Sequence, residues 1–382
     1  MKNVVIAGGG FAGVWAAMAA AATRQRIGLD DLAIELISDS GSLTIRPRLY
    51  EGARDDMRVP LQPLFDEIGV ELTVGKITRV SGAEVQLSGG ATHGHDRLVL
   101  ATGSAIRVPA VPGADQFGFA VDTHDSTAIL DQHLATLDLA DDAAGTIVVV
   151  GASFTGLEVA TGLRARLGAV PRIHILDQAA TPGAGLGDAM EAEVATALAE
   201  GDIAFHAQTT VEEVTAEMVR LSNGSDLPCR TVIFATGFRA SPLTATLEAE
   251  RAADGRLVVH PDLRVGAAET VFAAGDVARA MADDTHATLM SCQHAMPMGI
   301  AAGRNAVLDL AGQSTQAYSQ PFYATCLALG PYGAVFTTGW DRAVGKTRAE
   351  GAAMKTQINT QWIYPPDPSL GRDAIFEMIL GN

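Results

Sequence analysis

Cysteine is scarce. The chain holds three, Cys229, Cys292 and Cys326, far apart and with no CxxC or CxxxxC spacing. That excludes a zinc knuckle and a local redox dithiol, leaves no metal site to expect, and fits a reducing, cytoplasmic setting. Positive charge is short as well: 27 Lys and Arg stand against 44 Asp and Glu, a formal net charge of −17. Such a balance argues against nucleic acid as a partner and against a purely electrostatic grip on an anionic membrane. Pro-rich, Gln-rich and Gly/Ser-rich tracts are missing, so little disorder is expected. Nor is there a convincing membrane span. Val4 to Ala22 carries no charge, but Gly8, Gly9, Gly10 and Gly13 divide it into a short strand, a turn and an Ala-rich helix. What the chain has in quantity is glycine, 40 residues, and apolar side chains, 48% of 382 residues. That is enough for large buried sheets, tight turns and two or three domains.

The first informative stretch is VVIAGGGFAG. A Val/Val/Ile strand runs into Gly8, Gly10 and Gly13 at G-x-G-x-x-G spacing, with Phe11 and Ala12 opening a helix. The first glycine allows the tight turn, the second lets a pyrophosphate approach the backbone, and the third lets the helix pack on the strand. The helix N-terminus then presents unpaired N–H groups and a partial positive charge to the phosphates. The next strand, LAIELIS, ends at Ser38 and Asp39, and either is a candidate for the ribose hydroxyls.

The pattern returns in mid-chain. TIVVVGASFTGLE places Gly151, Ser153 and Gly156 at the same spacing, with Phe154 and Thr155 between them and serine in the middle position. The following strand, RIHILD, ends at Asp177, 21 positions after Gly156. A carboxylate there suits both ribose hydroxyls, and Gln178 rather than a basic residue follows it, so NADH is expected over NADPH. Two such turns imply two dinucleotides, one held and one exchanged.

Three further stretches join them: DRLVLATGS (Asp96 to Ser104), TVIFATGFRASP (Thr231 to Pro242) and TVFAAGDVA (Thr270 to Ala278). In this order the chain resembles the two-dinucleotide-domain flavoproteins, the pyridine nucleotide-disulfide oxidoreductase superfamily. The resemblance covers about Met1 to Val307. It implies an α/β fold with two Rossmann-like domains, the NADH domain (118–251) inserted in the FAD domain (1–117 and 252–315), and a small C-terminal α+β interface domain (316–382). It implies FAD at the first turn and NADH at the second. Ala101, Thr102, Gly103 and Ala235, Thr236, Gly237 would lie at the domain crossings, and Gly275 and Asp276 on the ribityl–phosphate side of FAD. The helix from Met290 would point its positive end at the flavin, making Gln293 and His294 flavin neighbours, with Pro297 kinking that helix or marking its start. Glu158 would reach the nicotinamide–flavin junction.

The stretch LTIRPRLYEGARDDMRVPL (Leu43 to Leu61) bears on the branch, because dithiol-using relatives carry their CxxxxC pair near this position and this chain has none. Electrons would therefore leave the flavin directly. Pro47, Leu49, Tyr50 and Glu51 resemble the "PLLYE"-like stretch of type II NADH:quinone dehydrogenases and apoptosis-inducing-factor-like quinone reductases. Ferredoxin and rubredoxin reductases match at Arg46, Pro47 and Leu49, but Glu51 stands where they have Lys. Pro47 is the candidate to line the flavin, and Arg46 and Arg48 are candidates to neutralise phosphates or reduced flavin. Sulfide:quinone reductases need a second cysteine beside one like Cys326, and Cys229 is a poor candidate.

Residues 316–382 hold nine of the 20 aromatics, a composition that suits a slot for a flat acceptor as well as it suits an ordinary core or a homodimer interface. AIFEMIL (Ala374 to Leu380) is too short to span a bilayer. A peripheral contact at the inner membrane face stays open, although no long amphipathic tail supports it. The expectation is an NADH:acceptor oxidoreductase that passes electrons to a quinone or another small oxidant. The alternatives are a reductase of a ferredoxin- or rubredoxin-type protein, and a slow-turnover NADH/FAD sensor.

Overall fold

The computed structural model describes residues 2–266 and 268–381. Its first sheet is built where the sequence has unbroken apolar runs. Lys2–Ala7, Leu32–Ser38, Glu71–Val74, Arg97–Leu100 and Val271–Ala273 form five parallel strands, with Lys2–Ala7 in the centre. Val4, Val5, Ile6 and Ala7 are fully buried, as befits a parallel sheet covered on both faces. A second five-stranded parallel sheet, Gly118–Ala120, Thr231–Phe234, Thr146–Val150, Arg172–Leu176 and Ile203–His206, is inserted between the last two strands of the first in chain order. Each half carries its own three-stranded antiparallel meander: Ile77–Val80, Glu84–Leu87 and Thr92–Gly94 in one, Val211–Val214, Met218–Leu221 and Asp226–Pro228 in the other. A two-stranded ribbon, Ser104–Ile106 against Phe238–Ala240, ties the two crossings between the halves.

The C-terminal part is a three-stranded antiparallel sheet, Ala324–Ala328, Ala334–Thr338 and Ala343–Lys346, followed by helices Arg348–Gln357 and Arg372–Leu380. The uncharged N-terminal run does fold as strand, turn and helix. Helix Phe11–Arg26 is buried from Ala12 to Thr23, because helix Cys292–Leu310 lies along it and the C-terminal helix covers another side. Small side chains permit that approach. A Cβ at Gly299 would stand 2.2 Å from the Ala12 carbonyl oxygen, and one at Gly303 would stand 2.1 Å from that of Ala16. Pro297 lies inside helix Cys292–Leu310, which starts well before it. Among the described residues no helix is long and apolar enough to cross a membrane.

Candidate active site

The two glycine turns are built alike. Gly8 and Gly151 have φ of +116° and +110°, and a Cβ on either would lie 2.3 Å from a carbonyl oxygen, that of Ala101 or of Ala235. Each turn therefore presses on the first residue of an ATG segment. The ATG residue in turn donates its N–H to the strand before the glycine: Ala101 to Ala7 and Ala235 to Val150, both at 2.8 Å. Gly13 and Gly156 close the same contact from the helix side, onto the carbonyls of Gly8 and Gly151. Open space surrounds Gly10, and Ser153 is exposed. As N-caps of helices Phe11–Arg26 and Phe154–Leu167, neither uses a side chain to satisfy the first N–H groups. Unsatisfied donors at an accessible helix N-terminus are what a pyrophosphate requires, so the residues present fit two dinucleotides.

Around the first turn, Ser38 is buried with its Oγ 2.6 Å from where a Gly9 Cβ would be, whereas Asp39 is exposed. At the second turn, both Asp177 oxygens accept backbone N–H groups, from Ala152 at 2.7 Å and Ala179 at 2.8 Å. They tie the carboxylate to the glycine turn itself. Gly275 has φ +71°, and its Cβ would meet that of Ala12 at 2.8 Å. Asp276 follows it, and burial pushes its carboxyl above the usual range. Ser104 donates to Asp276 at 2.6 Å. Thr102 and Gly103, like Thr236 and Gly237, continue from the pressed alanines into the crossing ribbon.

The cations near Pro47 are committed to protein carboxylates. Arg46 bonds Asp122 and Ser104, stands 3.7 Å from Asp276, and lies over the Phe238 ring at 4.5 Å. It thereby links the two dinucleotide halves at their crossings. Arg48 is buried, paired with Glu51 at 2.8 Å and Asp56 at 3.1 Å, and accepted by the Tyr364 hydroxyl at 2.7 Å. Pro47 opens the short 3-10 turn Arg46–Glu51 that carries them.

That turn packs on helix Phe154–Leu167, where a Cβ at Gly162 would lie 2.8 Å from the Tyr50 carbonyl oxygen. One turn back on the same helix, the Glu158 carboxylate accepts from Lys355 Nζ at 2.7 Å and from the Ala328 N–H at 3.0 Å. Lys355 also donates to the Cys326 carbonyl at 2.9 Å, and its Nζ stands 5.6 Å from the Tyr50 ring centre. Both side chains of the pair are 12% exposed. Burial alone pushes the Lys355 ammonium down, but the Glu158 and Tyr50 oxygens outweigh it and hold its pKa above the usual lysine value. Asn359 extends the group by bonding the Tyr50 hydroxyl and Glu51. Lys355 had no signal in the sequence; it is one lysine in a mixed helix, paired across 197 positions. Cys292 and Cys326, both pushed up to about 11 by burial, are poor thiolates.

Gln293 and His294 begin helix Cys292–Leu310, capped by Ser291. The Gln293 amide pairs with Ala324, donating to its carbonyl at 2.7 Å and accepting from its N–H at 3.1 Å. His294 is fully buried, and burial lowers its pKa. Its Nδ1 is 3.0 Å from Gln320 Oε1, which also accepts from the Tyr318 hydroxyl. An amide oxygen accepts, so Nδ1 carries the proton and buried Nε2 is a bare acceptor. The ring stacks against Tyr323 and Trp340, which in turn stack with each other at 4.3 Å between centres.

Residues 2–299 match the family described as pyridine nucleotide-disulphide oxidoreductase. The chain belongs to this pyridine nucleotide-disulphide oxidoreductase family. It is an FAD-dependent NAD(P)H oxidoreductase. It is 40% identical over 385 residues to an NADH dehydrogenase-like protein of Mycobacterium tuberculosis, covering 96% of this chain and 95% of that one. It is 26% identical to demethylphylloquinone reductase of Synechocystis over 288 residues, 72% of this chain and 71% of the other. Among solved structures, the sulfide:quinone oxidoreductase of Aquifex aeolicus superposes with a TM-score of 0.73 at 20% identity, covering 94% of this oxidoreductase and 90% of that chain.

Proposed function

We propose that the protein oxidises NADH and reduces a quinone directly, without a dithiol relay. In this reading residues 1–117 and 252–315 hold FAD, residues 118–251 hold NADH, and residues 316–382 close the site. Bound FAD supplies the redox chemistry, taking a hydride from NADH and giving two electrons to the acceptor. Gly8, Gly10 and the N-terminus of helix Phe11–Arg26 bind the FAD pyrophosphate; Gly151, Ser153 and Asp177 bind and orient NADH. Pro47 and the start of helix Cys292–Leu310 form the walls around the ring system.

The observation that carries the quinone reading is the Glu158–Lys355 pair. Reducing a quinone consumes two protons as well as two electrons. A buried ammonium held by a carboxylate, where the NADH helix, the Pro47 turn and the C-terminal sheet meet, stays charged because its pKa is held up, and its fixed positive charge stabilises the negative charge that develops on a quinone oxygen before those protons arrive from solvent. His294 is neutral with its proton committed to Gln320, so it positions rather than donates. The similarity to a demethylphylloquinone reductase points the same way.

The test is anaerobic stopped-flow with the yellow holoprotein and a short-chain quinone. NADH should bleach the flavin at the same rate in wild type and Lys355→Met. Quinone should restore the colour quickly in wild type and about 10²–10³ times more slowly in the variant, the size of one preorganised electrostatic group's contribution. Slow restoration in wild type would remove quinone as acceptor. A second reading, reduction of an acidic electron-transfer protein, is favoured by exposed Arg239 on the crossing ribbon, exposed Arg107 just past its end, and 28% identity over 181 residues to rhodocoxin reductase. It requires a rate that falls with salt.

A further inference from the structure

The NADH turn lacks a cation of its own. Residues 151–163, the loop 177–187 and residues 235–238 contain no lysine or arginine. The helix N-terminus offers only about half a positive charge, in a chain of net charge −17 and for a substrate with two phosphates. A guanidinium does reach the turn, from a distant segment. Arg342 sits at the tip of the hairpin joining Ala334–Thr338 to Ala343–Lys346. It donates to the Gly185 carbonyl at 2.7 Å and lies over the Phe154 ring at 5.8 Å from its centre. Phe154 is the first residue of the helix that Ser153 opens, and Gly185 lies in the loop after Asp177.

Arg342 is held there at a conformational cost. Its backbone lies in the left-handed region, φ +52°, which favours glycine. Its Nε is buried without a partner, and no carboxylate pairs with it among the described residues. Glu191, the acid that binds this loop, is turned to the Gly185 N–H and the Thr181 hydroxyl. Arg348, at the other end of the same hairpin, is by contrast paired with Glu200 and Glu193. An unpaired guanidinium beside a phosphate-binding helix N-terminus is a missing half of a charge-assisted contact.

We propose that Arg342 is a dinucleotide-binding residue that the C-terminal hairpin contributes to the NADH site, pairing with the pyrophosphate. NADH then bridges the middle domain and the C-terminal sheet, and binding it holds that sheet in place over Glu158. This rests on assigning NADH to the second turn, and the test separates the two.

The probe is ADP-ribose, which has the pyrophosphate but cannot reduce flavin, titrated calorimetrically into the FAD-loaded protein. Arg342→Met should weaken it about tenfold or more, the usual loss for a hydrogen bond to a charged group. It should also flatten the dependence of log Kd on log salt concentration; Arg342→Lys should keep the salt slope and part of the affinity. Arg348→Met, one hairpin strand away, should leave both unchanged. A Kd within twofold of wild type in Arg342→Met, or a weakening with an unchanged salt slope, overturns the proposal: the residue is then a structural clamp on Gly185. Asp177→Ala serves as the check on the turn. If it weakens ADP-ribose and Arg342→Met does not, the turn is right and the inference wrong. If neither does, NADH is assigned to the wrong turn.

Discussion

At the scale of single residues, the Glu158–Lys355 pair has the largest consequence. Two charges at 12% exposure are tolerated because each has further partners: Ala328 N–H for the carboxylate, the Cys326 carbonyl for the ammonium. Removing one member strands the other, at a cost of about 3–5 kcal/mol. Lys355→Met and Glu158→Gln should each lower the midpoint of urea unfolding markedly. The double variant should recover much of the loss, because no buried charge is left unpaired. Additive losses would mean that the two side chains do not stabilise each other. The sign with pH also follows. The folded-state pKa of Lys355 is raised, so its stabilising contribution is complete below about pH 10.4, the unfolded value. It is lost only as pH rises through the folded value.

At the scale of elements, the contact between helices Phe11–Arg26 and Cys292–Leu310 is set by backbone proximity rather than by large side chains. Gly303→Ala weighs two effects. Alanine improves helix propensity by about 1 kcal/mol, but its Cβ would lie 2.1 Å from the Ala16 carbonyl oxygen. Overpacking costs about 1–3 kcal/mol even in plain cores, and backbone cannot swing aside as a flexible side chain can. The net effect should be destabilising, read as a lower Tm and faster loss of FAD on dilution, since the helix it presses on, Phe11–Arg26, carries the first turn. A gain in Tm would show that the helices can separate freely.

A second element-scale device is the pair His174 and His206 on adjacent strands, with Nδ1 and Nε2 2.9 Å apart. Burial lowers the pKa of both, and for His174 the neighbouring His206 and Arg172 add to it. The unfolded chain therefore binds protons that the folded pair refuses. The stability the pair contributes is complete above about pH 6.5 and lost as pH falls through the folded values. The drop in Tm between pH 7.5 and 5.5 should be smaller in His206→Asn than in wild type. An unchanged drop would place the acid sensitivity elsewhere.

At the scale of the whole molecule, the three parts are tied by contacts that cross between them. Arg46 joins the two dinucleotide halves through Asp122, and Lys355 joins the C-terminal part to the middle one. Helix Arg372–Leu380 buries Ile375, Phe376 and Ile379 and packs on helix Phe11–Arg26. Phe376→Ala, a change far from any reacting atom, should cost about 3–5 kcal/mol. It should release FAD more readily, measured as flavin fluorescence in the filtrate. Retention equal to wild type would make the C-terminal helix a passive cover.

Both nucleotide turns, the ATG crossings and the GD corner are legible in the amino-acid order, along with the fold class they imply. These features are local. A turn with φ above +100° and a carbonyl 2.3 Å from the missing Cβ admits glycine alone, so the constraint is written at that position and can be read there. Tertiary structure decided the rest. Arg46 is a candidate from the sequence to neutralise phosphates or reduced flavin, but its pairing with Asp122, 76 positions away, carries no local signal. The resemblance puts Glu158 at the nicotinamide–flavin junction, and the packing of the C-terminal part adds Lys355 to one of its oxygens. The resemblance makes His294 a flavin neighbour, and Gln320, 26 positions on, fixes its proton on Nδ1. Lys355 and Arg342 carried no motif at all, because a long, flexible cation leaves no spacing pattern in the chain. Its role is set by the carboxylate or phosphate it can reach, and only packing distant segments together brings that partner within hydrogen-bonding distance.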